Sequence, residues 1–309
     1  MEKEFKLIDP FENELNVRLW ESQIQNTKGV VQIIHGASEH IGRYADFAKY
    51  LNSLGFVVIG NDHLGHGKNN LENDSIYFAD SIGFHKVYEG VKIVRDYIEE
   101  HYPHLPVIMF AHSMGSFIGR YAVLYDYKRY DEAIFSGTGW FNPLEIYASI
   151  LIAKTIIRFK GKRYVSKFYN SYVASGAVRS MKRNGIINER VEWLSSVKAV
   201  QKAFKEDPLC GKPFTIGAQL DLLNFILEVQ DKRKIKDSAS STAIYFISGD
   251  LDALGNYGGV AKKLYKYYKE CGYSRVKFTV LKDCRHEIIN EYEKESIYKR
   301  LGDWINSNL

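Results

Sequence analysis

Apolar and polar positions alternate with period two near the start of the chain. Phe5 and Leu7 mark one run and Leu15, Val17 and Leu19 the next, separated by the turn-rich DPFENE. Such alternation suits strands with one buried face, so the two runs predict a leading antiparallel hairpin. The pattern then changes. VVQIIHG is a short apolar run, followed by Tyr44, Phe47, Ala48, Leu51 and Leu54 at helical spacing and then by FVVIGND. Val87, Val91, Val94 and Ile98 line a further helix face ahead of PVIMF, and the turn AHSMG enters a helix leading to EAIFSG. Apolar strands alternating with helices predict an α/β fold with a mostly parallel central sheet flanked by helices.

From about Trp140 to Lys236 the alternation stops. Stretches such as LEIYASILIAKTIIRF and GAQLDLLNFILEV have helical character, with no buried strand between them. AIYFISG, VAKKLYKYYKECG, RVKFTVL and a last helix from about Tyr292 to Ile305 then restore the order. The expected organisation is a discontinuous α/β core, residues 1–139 and 237–309, with a helical cap, residues 140–236, inserted after the sixth strand. Its aromatics, among them Trp140, Phe141, Phe159, Tyr172, Trp193 and Phe225, suit an apolar tunnel and an ordinary core equally. Ile146, Tyr147, Ile150, Leu151, Ala153 and Ile157, interrupted by Lys154, form a segment too short and too charged to span a bilayer. It reads as an amphipathic helix that covers an acyl pocket and touches a membrane, or as one packed on the cap's second helix.

Composition narrows the class. With 309 residues, 45% hydrophobic and 26% charged, the chain can bury a large core. The net charge of +5 arises from 42 basic and 37 acidic residues spread throughout, which does not indicate nucleic-acid binding and is compatible with peripheral membrane contact. Cys210, Cys271 and Cys284 have neither disulfide-framework nor zinc spacing, and a reducing cytoplasm is their expected compartment. MEKEFKLIDP carries charge where a signal peptide needs an apolar core. A cytoplasmic protein, peripheral to a membrane at most, is expected.

The chemistry centres on Ser113. PVIMFAHSMGSFIGRY sets a serine at a strand-to-helix junction between small residues, Ala111 and Gly115. A nucleophile held in a strained turn needs small flanks, and the Met114 N–H at the helix start can donate to an oxyanion. The competing reading is that Ser113 merely caps the helix. A serine hydroxyl requires an imidazole to take its proton and a carboxylate to orient that imidazole. Downstream of Ser113 the chain offers one histidine, His286, in the loop after RVKFTVL. The acid should follow AIYFISG, where Asp252 is preferred to Asp250 because it lies farther from the strand end. Glu287 is poorly placed to grip its neighbour's ring, and Cys284 lacks an elbow. A second oxyanion donor, the Ala37 N–H, follows the strand ending in HG. His35, His40, His63 and His66 raise a metal reading, but no HxHxDH or HExxH spacing supports it, and neither metal nor cofactor is expected.

Taken in order, HGASEHIGRY, DHLGHG, AHSMG, SGDLDALGNYGG and RHEIINE resemble the monoacylglycerol lipase and lysophospholipase branch of the α/β-hydrolases, of the serine aminopeptidase S33 type. The resemblance implies an α/β-hydrolase fold and a triad of Ser113, Asp252 and His286, with Ala37 and Met114 as oxyanion donors. It also implies cofactor-free cleavage of single-chain acyl esters: monoacylglycerols, lysophospholipids or short acyl esters. Ala111 departs from the GxSxG pattern by one methyl group, and the cap matches no single member. Two other classes remain. An aminopeptidase of this fold needs acidic cap residues to hold an amine, for which Glu145, Glu189 and Glu192 are available. A non-catalytic ligand-binding protein has no use for serine, acid and histidine together.

Overall fold

The structure is a computed structural model that describes residues 1–24 and 26–309, apart from the side chains of residues 171–175 and 177. Tyr172 therefore lies outside the described side chains. Strands β1 (Glu2–Ile8) and β2 (Glu14–Trp20) form the expected hairpin, pairing Phe5 with Val17 and Leu7 with Leu15. They are followed by β3 (Gly29–Ile34), α1 (Ala45–Ser53), β4 (Phe56–Asn61), α2 (Gly83–His101), β5 (Val107–His112), α3 (Met114–Tyr125) and β6 (Glu132–Ser136). Next come α4 (Pro143–Lys160), α5 (Lys167–Arg183), α6 (Lys198–Glu206), α7 (Ile216–Val229) and α8 (Lys232–Asp237). The chain closes with β7 (Ala243–Gly249), α9 (Gly259–Glu270), β8 (Val276–Leu281) and α10 (Lys294–Asn306).

The eight strands run in the order β1-β2-β4-β3-β5-β6-β7-β8, antiparallel as far as β4 and parallel from there on. Strand periodicity divides the core in two. Val107, Met109 and Ala111 of β5 join one apolar cluster with α2, α3, α7 and α9, while Ile108 and Phe110 join the other with α1 and α10. Helices on both faces explain why the parallel strands read as unbroken apolar runs.

Helix α1 is shorter than its apolar spacing suggests, because a 3₁₀ turn, Ile41–Tyr44, precedes it. Asp62 accepts the Ile41 N–H at 2.9 Å and so meets a donor of that tight turn. Helix α4 begins at Pro143, with Asn142 accepting from the Leu144 N–H. Its apolar residues divide between two faces. Ile146, Ile150 and Ala153 are buried, and α4 packs on α7, whereas Leu144, Tyr147 and Leu151 are 77, 59 and 68% exposed. Among the described residues, no helix is long and apolar enough to cross a membrane.

Glu132, the first residue of β6, is buried, and neither carboxylate oxygen meets a partner among the described residues. Burial pushes its pKa up to about 8, against a weaker pull from Arg275. In the unfolded chain this carboxyl ionises near its ordinary 4.5. Between those values the unfolded state releases the proton and the folded state retains it, so stability falls as pH rises through that window. Glu132→Gln removes the dependence. Its gain over the parent in urea unfolding is expected to grow from pH 5 to pH 8, to on the order of 2–4 kcal/mol. An equal difference at both pH values would contradict this.

Candidate active site

Three loops at the carboxyl ends of the parallel strands meet around Ser113. The serine lies between β5 and α3 with φ 52° and ψ −119°, a strained conformation for a residue with a β-carbon. Its N–H bonds the Ser136 carbonyl at 2.9 Å, and its own carbonyl accepts from Ser116 Oγ at 2.5 Å. The sharp turn needs Gly115. A β-carbon there would stand 2.2 Å from the Ile34 carbonyl and 2.5 Å from that of His35, so only glycine lets α3 approach β3. Ala111 faces no such wall: it is an interior β5 residue paired with Ile34 and Phe135, where a methyl group fits. Ser113 makes no side-chain bond to its helix, which sets aside the plain capping role.

His286 and Asp252 come together from the loops after β8 and β7. His286 Nδ1 and Asp252 Oδ2 are 3.0 Å apart, with both side chains buried. Leu254 also donates its N–H to Asp252, at 3.0 Å. Burial alone would raise the Asp252 pKa and lower that of His286. Their mutual attraction outweighs it in both, holding the carboxyl below its usual range and, with Glu287 and Glu39, the imidazole above its own. Asp250 makes no bond to His286. His286 Nε2 is buried without a partner among the described residues, and the ring stands 4.8 Å from that of His112, the neighbour of Ser113. Burial, then the nearby His286, pulls His112 down to about 4, so it stays neutral at physiological pH.

The loop after β3 presents Ala37. Glu39 accepts the Gly36 N–H at 2.6 Å, and His35 Nδ1 donates to the Gly36 carbonyl at 2.8 Å. A trans peptide points its C=O and N–H in opposite directions, so holding the Gly36 carbonyl also fixes the Ala37 N–H. His35 can donate from Nδ1 because its Nε2 accepts the His63 N–H at 3.0 Å. It is therefore the neutral tautomer. Burial, together with His63 and His66 nearby, holds its pKa well below the usual value. The four clustered histidines thus have structural partners: His63 bonds the His35 carbonyl and His66 the Leu64 carbonyl.

His40, Asp207 and Cys210 are the one group of metal-capable atoms found together among the described residues, all within 4.8 Å of one another. His40 Nδ1 accepts the Gly42 N–H at 3.2 Å, which leaves the ring proton on Nε2, where it bonds Asp207 at 2.9 Å. That arrangement is a hydrogen bond between the loop after β3 and Asp207, the residue that follows α6. It does not present an open nitrogen ligand.

Arg43 and Glu39, given no role in the sequence analysis, connect the loops together with Glu287, which was weighed there only as a partner for His286. Arg43 bonds Glu39 at 2.5 Å and grips Glu287 with two bonds of 2.7 and 2.6 Å. Tyr44 donates to Glu39 at 2.8 Å, and Asn290 to Glu287 at 2.9 Å. The Ala37 loop and the His286 loop thus share one largely covered guanidinium. Burial would raise the Glu287 pKa, but Arg43 draws it down to about 2. The signal was present in HGASEHIGRY and RHE, where charged residues stand beside the catalytic candidates.

Comparison with known proteins agrees with this architecture. Residues 25–293 match the family model described as Serine aminopeptidase, S33. The human Monoglyceride lipase is 35% identical over 204 residues, 66% of this chain and 59% of its own. The Monoacylglycerol lipase of Mycolicibacterium smegmatis is 25% identical over 286 residues, 91% of this chain and 89% of its own. The matches span between 31% and 59% of the first four curated relatives. A thermostable carboxyl esterase from Bacillus coagulans, solved with glycerol, superposes with a TM-score of 0.90 at 24% identity, over 99% of this chain and 98% of that one. With an eight-stranded, mostly parallel sheet between layers of helices and a family match running through all three loops, the chain belongs to the serine aminopeptidase S33 family and has the α/β-hydrolase fold.

Proposed function

We propose that this protein is a serine ester hydrolase acting on monoacylglycerols or related single-chain acyl esters. The observation that carries the reading is the buried His286–Asp252 pair beside Ser113 in its strained turn. Ser113 Oγ attacks the ester carbonyl and gives its proton to His286 Nε2. The N–H groups of Ala37 and Met114 receive the oxyanion, His286 protonates the leaving alcohol, and water clears the acyl-enzyme through the same base. Asp252 holds the imidazole with Nδ1 protonated, leaving Nε2 free to accept. Relatives named monoglyceride lipase support the substrate class.

A fluorophosphonate probe tests the reading. It should label Ser113 and be excluded from Ser113→Ala, and a parent protein left unlabelled would sink the proposal. Asp252→Asn should lower kcat about 10⁴-fold with a chromogenic ester while Asp250→Asn stays close to the parent. The reverse order would move the acid to Asp250. An aminopeptidase is the weaker reading. Of the acidic residues suited to an amine, Glu192 and Glu189 already hold Lys198 and Lys205, and Glu145 is exposed on α4. Faster turnover of aminoacyl anilides than of acyl esters would reverse that judgement.

Residues 140–236 act in this reading as a cap over the acyl-binding side. The exposed Leu144, Tyr147 and Leu151 stripe, with Lys154 and Arg158 farther along α4, suits contact with a lipid surface. Replacing all three by serine should weaken sedimentation with anionic phospholipid vesicles while leaving turnover of a soluble short-chain ester intact. Unchanged vesicle binding would remove the membrane contact from the proposal.

A further inference from the structure

His286 has one contact with no part in the chemistry above. The indole of Trp193 lies over its imidazole, with ring centroids 4.3 Å apart and planes 25° from parallel. Trp193 comes from the inserted segment, at the end of a 3₁₀ turn, Arg190–Trp193. Backbone bonds seat that turn on the His286 loop. The Trp193 and Leu194 carbonyls accept the His286 and Glu287 N–H groups at 3.4 and 2.7 Å. Arg285 donates to the carbonyls of Glu192, Ile186 and Ser195 at 2.5, 2.9 and 3.2 Å, and Ser195 Oγ donates to the Asn290 carbonyl at 2.8 Å. The stack is therefore held from both sides.

We infer that Trp193 stabilises the imidazolium form of His286, so that the inserted segment supplies part of the catalytic base's environment. The inference rests on His286 being the base. When Ser113 Oγ passes its proton to Nε2, the ring becomes a cation in a dry site, and an aromatic face gains more from a cation than from a neutral ring. Other charged or titratable groups face the same ring. Asp252 approaches from the loop after β7 and Glu287 from the chain itself. Glu39 approaches from the loop after β3, with Arg43 between the two glutamates, and neutral His112 from β5. Trp193 is a positioning residue in this scheme, because it acts through His286.

Trp193→Phe and Trp193→Leu separate this role from simple packing. Leucine should lower kcat about tenfold and shift the acid limb of kcat/KM down by about one pH unit, while phenylalanine keeps most of both. Indole emission gives a readout independent of turnover. An imidazolium in contact quenches it, so parent emission should fall as His286 protonates. The change should be absent from Trp193→Phe and from His286→Gln. A leucine variant that keeps its acid limb and kcat overturns the inference, as does one that changes KM alone. Full activity in His286→Ala would instead remove the base itself, which tells failure of the proposed function apart from failure of the Trp193 role.

Discussion

Ser113→Ala is expected to reduce kcat on a monoacylglycerol or chromogenic acyl ester by about four to six orders of magnitude, with the protein still folded. The size follows from division of labour. In the proposed mechanism, losing Oγ removes the nucleophile, while the Ala37 and Met114 donors remain to sustain a small residual rate. His286→Ala should fall by a similar factor, and the double variant should be little worse than either, because serine and histidine act as one unit. Additive losses would show that they do not share a step. The pH profile carries the same information. His286 must be neutral to accept a proton, and its carboxylate neighbours hold its pKa above the ordinary 6.5 despite burial. Activity should therefore decline as pH falls through a value higher than 6.5. An acid limb below 6.5 would show that the Asp252 pairing is absent in solution.

Arg43→Met should cost about 3–5 kcal/mol of stability by urea unfolding, among the largest effects of any single side chain outside the apolar core. The guanidinium sits between two carboxylates that are themselves almost wholly buried, Glu39 and Glu287. Removing it leaves two uncompensated charges in a low-dielectric site. Removing Glu287 with it should restore part of the loss, so Arg43→Met with Glu287→Gln should be more stable than the sum of the single variants, by about 1–3 kcal/mol. Simple additivity would show that the three groups are not coupled. Arg43→Lys should recover only part of the parent stability, since an ammonium cannot hold Glu287 with the two parallel bonds of a guanidinium.

The strand runs and the leading hairpin were legible from local pattern, because each depends on spacing along a single element, while the choice of Ser113, Asp252 and His286 rested on the order of motifs that the chain shares with the α/β-hydrolases. The partners of those elements were not. Ile146, Ile150 and Ala153 look no more apolar in sequence than Leu144, Tyr147 and Leu151, and only the position of α7 decides which set is buried. Arg43 and Glu287 are 244 positions apart, so their bond is invisible to any window of sequence. Trp193 reads as one aromatic among many. Its role depends on backbone bonds that carry a 3₁₀ turn onto a distant loop. Glu39 lies within HGASEHIGRY, yet its bond to the Gly36 N–H depends on how that loop folds back on itself, which residue spacing does not specify.

Strands β6 and β7 are parallel neighbours in the sheet, so everything between them is a detour in one crossover connection, for which a single covering helix would suffice. The surplus can change in evolution without altering any strand pairing. The Trp193 stack makes that freedom conditional, because exchanging the detour also exchanges the aromatic ring against His286, the base of the proposed mechanism. In the proposed mechanism, a change in this segment would therefore move the working pH along with the surface offered to the substrate.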